Sequence, residues 1–265
     1  MEWYKDILIN ENSVGPENII YDNRMYYRYM DRIYIPKQPC ELNSREVSWL
    51  SETRLKLADD IIDYDYSISV IHRLYELAAL KDKSSIIDFG CGGGMFLQYI
   101  NNNNNKSNPS RVLGLDISEY AIEQAKNYYY LNSSNTKISN LDFQSEIFND
   151  TGVINSEDCS YDGAISSFVM HFKIYEFQMK ELFRVLKPGA RFCYNDYVYN
   201  KYPGHSKKVK LVLSEIGFEI EQHSETFKTS IDNHLKNHSI VVATKPVQNT
   251  DNNCNTLNSS LINGG

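Results

Sequence analysis

The run Ser85-Ile-Ile-Asp-Phe, followed at once by Gly90-Cys-Gly92-Gly-Gly94 and then by Met95-Phe-Leu-Gln-Tyr-Ile, constrains this chain more than any other segment. An apolar run that stops at a cluster of glycines and resumes with helical spacing reads as a strand, a tight turn and a helix. Glycine lets the backbone turn sharply and approach a ligand with no Cβ in the way, and the helix start behind it presents free N–H groups. The same texture continues downstream. Strand-type runs at 111–116, 140–145, 161–167 and 190–196 alternate with helical stretches at 118–130 and 175–186. Such alternation predicts an α/β fold, a mostly parallel sheet with helices on both faces. At the end, 217–223 and 239–244 both read as strands with no convincing helix between them, which predicts an antiparallel hairpin closing one sheet edge.

The first 82 residues have a different character. They are rich in tyrosine, including Tyr26, Tyr27, Tyr29 and Tyr34, hold both tryptophans, Trp3 and Trp49, and are broken by Pro36 and Pro39. From Ser44 onward, Val47, Leu50, Leu55, Leu57, Ile61 and Ile62 recur at near-helical spacing, and Ile68, Ile71, Leu74, Tyr75 and Leu77 share the face of a second helix. The expected organisation is a helical N-terminal cap or lid over 1–82, a catalytic core over 83–246 and a disordered tail over 247–265. That tail is dominated by Asn, Ser, Thr and Gly and has almost nothing to bury.

Composition narrows the partners. The chain has 265 residues, 42% of them apolar, which is enough for a substantial core. Its 27 Lys and Arg against 34 Asp and Glu leave a formal charge of −7, with no global attraction to phosphate backbones or anionic lipid. No run approaches the roughly 18 to 20 apolar residues of a membrane span. The start, Met1 to Asn10, shows no secretion signal, and the five widely spaced cysteines form no C-x-x-C, so the expectation is a cytoplasmic protein with reduced thiols.

Two acids frame the chemistry. Asp88 precedes the first glycine by two residues, and Asp116 ends the next strand 28 residues later, where a carboxylate accepts both hydroxyls of a ribose. A nicotinamide fingerprint competes for this pattern, but its third glycine would fall at Met95. Ser118 followed by Glu119 also reads as a plain helix N-cap. His234 and His238 are four apart with no third ligand nearby, so no metal is expected. Lys207, Lys208 and Lys210 read as a solvated helix face, and the N-terminal tyrosines either pack the sheet or wall a pocket.

Taken together, Asp88-x-Gly90-x-Gly92-x-Gly94, Asp116 and Arg184-Val-Leu-Lys-Pro-Gly189 resemble the class I S-adenosylmethionine-dependent methyltransferases, over about residues 60–246. The resemblance implies a seven-stranded Rossmann-like sheet ending in an antiparallel strand pair, and S-adenosyl-L-methionine as cofactor. It implies that Asp88, Gly90, Cys91 and Gly92 wrap the cofactor's methionine and ribose portions and that Asp116, with Ile117, holds the ribose. An acid after the third strand is implied for the adenine amino group. Both Asp142 and Glu146 compete for it; Leu141, Phe143 and Ser145 alternate as one strand face, which favours Glu146, flanked by Ser145 and Ile147. The segment after the fourth strand resembles the stretch that passes beneath the sulfonium, which makes Ser166 and Phe168 cofactor neighbours and His171 a candidate general base, with an unperturbed pKa close to working pH. The expected acceptor is a small molecule methylated on O or N. Rival readings are a protein or RNA acceptor, including a cap guanine, an inactive methyltransferase-like partner subunit and, most distantly, a dehydrogenase.

Overall fold

The computed structural model describes every residue except 1, 5, 11–14, 31, 103–108, 133–137, 146–151, 232 and 248–265. The expected tail therefore lies, from residue 248 on, outside the described residues. The chain begins with strands, not helices: β1 (Glu2–Tyr4), β2 (Ile7–Ile9), β3 (Asn18–Tyr21), β4 (Arg24–Met30) and β5 (Ile33–Ile35) form an antiparallel sheet in the order β1-β2-β5-β4-β3. This corrects the all-helical reading of residues 1–82. The deciding chemistry is the two-residue loop Asp22-Asn23, with φ of +50° and +57°, the left-handed pair that a tight hairpin needs and that Asp and Asn tolerate. Aromatic residues of β4 then suit a pleated surface. One side of the sheet closes over Leu8, Tyr26 and Tyr34. On the other, Ile7, Ile33 and Ile35 pack against Leu42, Leu50, Ile61 and Phe172.

The helices expected after Ser44 are present as α1 (Ser44–Lys56), the single turn α2 (Ala58–Ile61) and α3 (Tyr64–Leu77). Asn43 caps α1 reciprocally: its Oδ1 accepts from the Glu46 amide at 3.0 Å, while Glu46 Oε2 accepts from the Asn43 amide at 2.8 Å. Asp63 caps α3 by accepting from the Tyr66 amide at 3.0 Å.

The core follows as β6 (Ser85–Phe89), α4 (Met95–Asn102), β7 (Arg111–Leu115), α5 (Glu119–Leu131), β8 (Asn140–Gln144), β9 (Tyr161–Ser166), α6 (Glu176–Val185), β10 (Leu186–Asp196), α7 (Pro203–Ile216), β11 (Glu219–Lys228) and β12 (Leu235–Thr244). The strands form one seven-stranded sheet in the order β11-β12-β10-β9-β6-β7-β8. The five from β6 to β10 run parallel, and β12 lies antiparallel between β10 and β11, which is the expected closing hairpin. Successive residues along each strand enter opposite cores. Ile87, Leu113, Phe192 and Val241 pack under α6 and α7, while Ile86, Val112, Cys193 and Val242 pack under α3 and α4.

Register aligns the carboxyl ends of the strands. Asp88 pairs with Gly114 and Ile165, Leu115 pairs with Gln144, and the Asp116 amide donates to the Gln144 carbonyl at 3.2 Å. Open parallel sheets bind ligands at this edge. Cys40, Cys91 and Cys193 are free thiols. No helix among the described residues is long and apolar enough to cross a membrane.

Candidate active site

A cavity of about 600 Å³ opens at the carboxyl ends of β6, β7, β9 and β10, in the size range of small-ligand sites. Its floor is the glycine loop and its roof is N-terminal: Tyr29 of β4, Arg54 and Leu55 of α1, and Tyr66 of α3. The loop is held by its own sheet. The Gly90 and Cys91 amides donate to the Leu115 carbonyl at 2.6 and 2.9 Å. Gly90 has φ +81°, and a Cβ there would lie 2.2 Å from Val169 Cγ2, so the loop and the segment after β9 touch only because that atom is missing. Gly92 differs. At φ +52° its absent Cβ would meet nothing within 4 Å, since it faces the cavity.

Asp116 is fastened to the floor. Its Oδ2 accepts from the Gly92 amide at 2.8 Å and its Oδ1 from the Ser118 amide at 2.9 Å, which fixes one carboxylate between the glycine loop and the start of α5. Burial raises its pKa, opposed by these amides and by the Arg54 charge. Beneath it, Asp88 is 3% exposed and its Oδ1 has no partner. Burial, aided by the Asp116 charge, pushes Asp88 up to about 8.

A stability signature follows. Because the folded carboxyl titrates near 8 and an unfolded Asp near 3.9, the folded state binds more protons across that interval, so stability falls as pH rises from roughly 4 to 8. Asp88→Asn cannot ionise. Its thermal midpoint is expected to decline less between pH 5 and pH 8 than that of the wild type; parallel profiles would show that Asp88 titrates normally.

The wall after β9 is aromatic. Phe168 holds φ +58°, a strained value for a bulky residue, and its amide donates to Asn195 Oδ1 at 2.8 Å. Its ring lies 5.7 Å from that of Tyr66 and 5.6 Å from that of Tyr197, centroid to centroid. Behind them, His238 Nδ1 meets Asn195 Nδ2 at 3.2 Å and its Nε2 meets the Tyr66 hydroxyl at 2.5 Å. Burial lowers the His238 pKa to about 4, so this neutral ring braces the wall from within β12. It does not share a helix face with His234.

His171 occupies a comparable second layer. The turn at Phe168 rotates it inward, to 1% exposure, where its Nε2 meets the Tyr29 hydroxyl at 3.1 Å and its ring lies tilted against that of Phe172, centroids 4.1 Å apart. Burial and the Arg54 charge hold its pKa well below the ordinary value. His171 sits behind the cavity wall, its Nε2 turned to the hydroxyls of Tyr29 and Tyr197, a placement that position along the chain after β9 does not reveal.

Of the residues singled out in the sequence, Gly90, Cys91, Gly92, Asp116, Ile117 and Phe168 share the cavity. Asp88 and Ser166 lie buried at the strand ends. Ser145 directly follows β8, and Glu146 and Ile147 lie outside the described residues. Asp142 is exposed within β8, level with Leu113, two positions short of the strand end. Sequence reasoning missed Arg54, Leu55 and Tyr197. Arg54 and Leu55 sit in the last turn of an amphipathic helix, where the pattern reads as solvent face and packing, respectively.

A family model described as a methyltransferase domain matches residues 80–244. The chain belongs to the methyltransferase domain family. Solved structures agree on the fold of this methyltransferase. The [4+2]-cyclase SpnF has a TM-score of 0.58 at 15% identity, covering 80% of this chain and 100% of that one. A SAM-dependent methyltransferase from Aquifex aeolicus has a TM-score of 0.54 at 18% identity, covering 73% and 98%. The methyltransferase in a complex with the Haloferax volcanii Trm112 activator has a TM-score of 0.56 at 14% identity, covering 79% and 100%. No curated protein matches the sequence. The cofactor of this methyltransferase is S-adenosylmethionine, and its residues fit that group: a glycine cradle that a Cβ would fill, a fixed carboxylate beside it and an orphaned buried oxygen at Asp88.

Proposed function

We propose that the methyltransferase acts on a small-molecule acceptor, on O or N, with the reaction enclosed between the glycine loop and the N-terminal roof. The observation that carries this reading is the cavity itself. Its acceptor side is walled by Tyr29, Tyr66, Phe168 and Tyr197, rings from four separate elements that converge on a space of about 600 Å³. Such a wall suits a compact, partly apolar molecule, and the chain's −7 charge supplies no global attraction to a polyanion.

In this reading Gly90 to Gly92 hold the methionine and ribose portions of the cofactor, and Asp116 accepts from the ribose hydroxyls. The strand end after β8 meets the adenine. Phe168 lies beneath the sulfonium. The bound cofactor supplies an electrophilic methyl group, and the chain's contribution is to align donor and acceptor and exclude water. His171 fixes the Tyr29 hydroxyl in the wall, a positioning role.

Asp116→Ala is expected to weaken S-adenosylhomocysteine binding by roughly 1.5 to 3 kcal/mol, the range for hydrogen bonds to a charged group, as read by calorimetry. An analogue lacking the ribose hydroxyls should not distinguish the variant from the wild type. If it does so as strongly as the parent compound, Asp116 holds something else. The acceptor class is tested with methyl-labelled S-adenosylmethionine and a size-fractionated cell extract. Label confined to the low-molecular-weight fraction supports the reading, and label in protein or RNA overturns it.

A further inference from the structure

Arg54 lines the cavity and is not absorbed by the cofactor reading. Its guanidinium projects from the last turn of α1 into the cavity, with Nε buried and without a hydrogen-bond partner. Its neighbour is Tyr29, whose ring centroid lies 5.9 Å from the guanidinium carbon. Among the described residues no carboxylate forms an ion pair with this half-buried side chain, and Asp116, the acid its charge reaches, is already held by two amides.

The three acids that line the cavity are engaged elsewhere. Glu17 is bound by Arg28 and by Lys201, the latter at 3.0 Å. Asp63 caps α3 and accepts from the Ser230 amide at 2.7 Å. Asp116 holds the Gly92 and Ser118 amides. Lys173, Lys201 and Lys236 are exposed around the same cavity, so its field opposes the net charge of the chain.

We propose that the acceptor is a small organic acid whose carboxylate pairs with Arg54. The placement favours the acceptor over the cofactor's own amino-acid end. The Arg54 charge reaches Asp116 on the floor, but its ring contact is with Tyr29 and it also acts electrostatically on Tyr197 and His171, three residues of the wall formed by the roof and by the segments after β9 and β10. An arginine fork matches a carboxylate in two parallel hydrogen bonds, and an aromatic enclosure beside it takes the apolar body. The basic rim draws the acid in. This assignment rests on the small-molecule reading above and specifies the substrate class.

The test uses the full chain saturated with S-adenosylhomocysteine and two matched probe pairs, 4-hydroxybenzoate with 4-hydroxybenzamide and hexanoate with hexanamide, read by calorimetry. At least one acid is expected to bind about 10- to 100-fold more tightly than its amide, the range for a charge-assisted pair. Arg54→Gln is expected to erase that preference, and Arg54→Lys to retain part of it. Equal binding of acids and amides, or no binding of either acid, overturns the proposal. A control arm compares S-adenosylhomocysteine with 5′-methylthioadenosine, which lacks the amino-acid end. If Arg54→Gln weakens only the former, the carboxylate belongs to the cofactor and the acceptor assignment is overturned. Failure of the wild type to bind S-adenosylhomocysteine at all would instead strike the cofactor reading itself.

Discussion

Gly92→Asp is expected to abolish cofactor binding in a protein that still folds. Two facts separate the effects. The missing Cβ at Gly92 meets no atom within 4 Å, so a side chain there displaces ligand and not protein. The left-handed backbone, φ +52°, is one that Asp adopts more readily than most residues. The new side chain would fill the space that the loop leaves for the cofactor, and its carboxylate would stand beside the like charge of Asp116. Loss of the cofactor's backbone contacts is expected to lower affinity by more than about 100-fold, or about 2.8 kcal/mol. Calorimetry with S-adenosylhomocysteine reads this directly, with circular dichroism and the thermal midpoint to show the fold. Wild-type affinity in the folded variant would remove the glycine loop from the cofactor site.

Phe172→Ala is expected to loosen the roof from the core. Phe172 joins the two: it follows β9 of the large sheet, yet it is buried among Ile7, Ile33, Ile35 and Leu50 of the N-terminal sheet and α1. Its ring lies tilted against that of His171, centroids 4.1 Å apart, and 5.9 Å from that of Tyr29. Truncating a buried phenylalanine typically costs about 3 to 5 kcal/mol, visible as a lower denaturant midpoint. The cofactor floor does not depend on this ring, so S-adenosylhomocysteine affinity should hold while protease cleavage within the first 43 residues quickens. A loss below about 1 kcal/mol would show that the roof is anchored by other contacts, the low end of what a core truncation produces.

The second result turns on how two regions meet, and that meeting was the least legible part of the sequence. The core was legible because its rules are local. Strand and helix periods differ, glycines mark where the chain reverses, and an acid at a strand end carries its meaning within a few residues; hence Gly90, Gly92, Asp116 and the closing hairpin of β11 and β12 were readable before any coordinates. The N-terminal sheet was hidden because its strands run only three to seven residues and its hairpin turns on Asp22-Asn23 rather than on glycine. The sequence by itself determined the sheet, the glycine loop and the acid that follows β7, since each is set by backbone geometry that residue type constrains. The tertiary structure alone decided that the turn at Phe168 draws His171 behind the wall. It alone decided that Arg54, a helix residue like many others, enters the cavity without an ion-pair partner among the described residues. Which side chains face a shared space depends on how separately folded segments pack, and no local period encodes that.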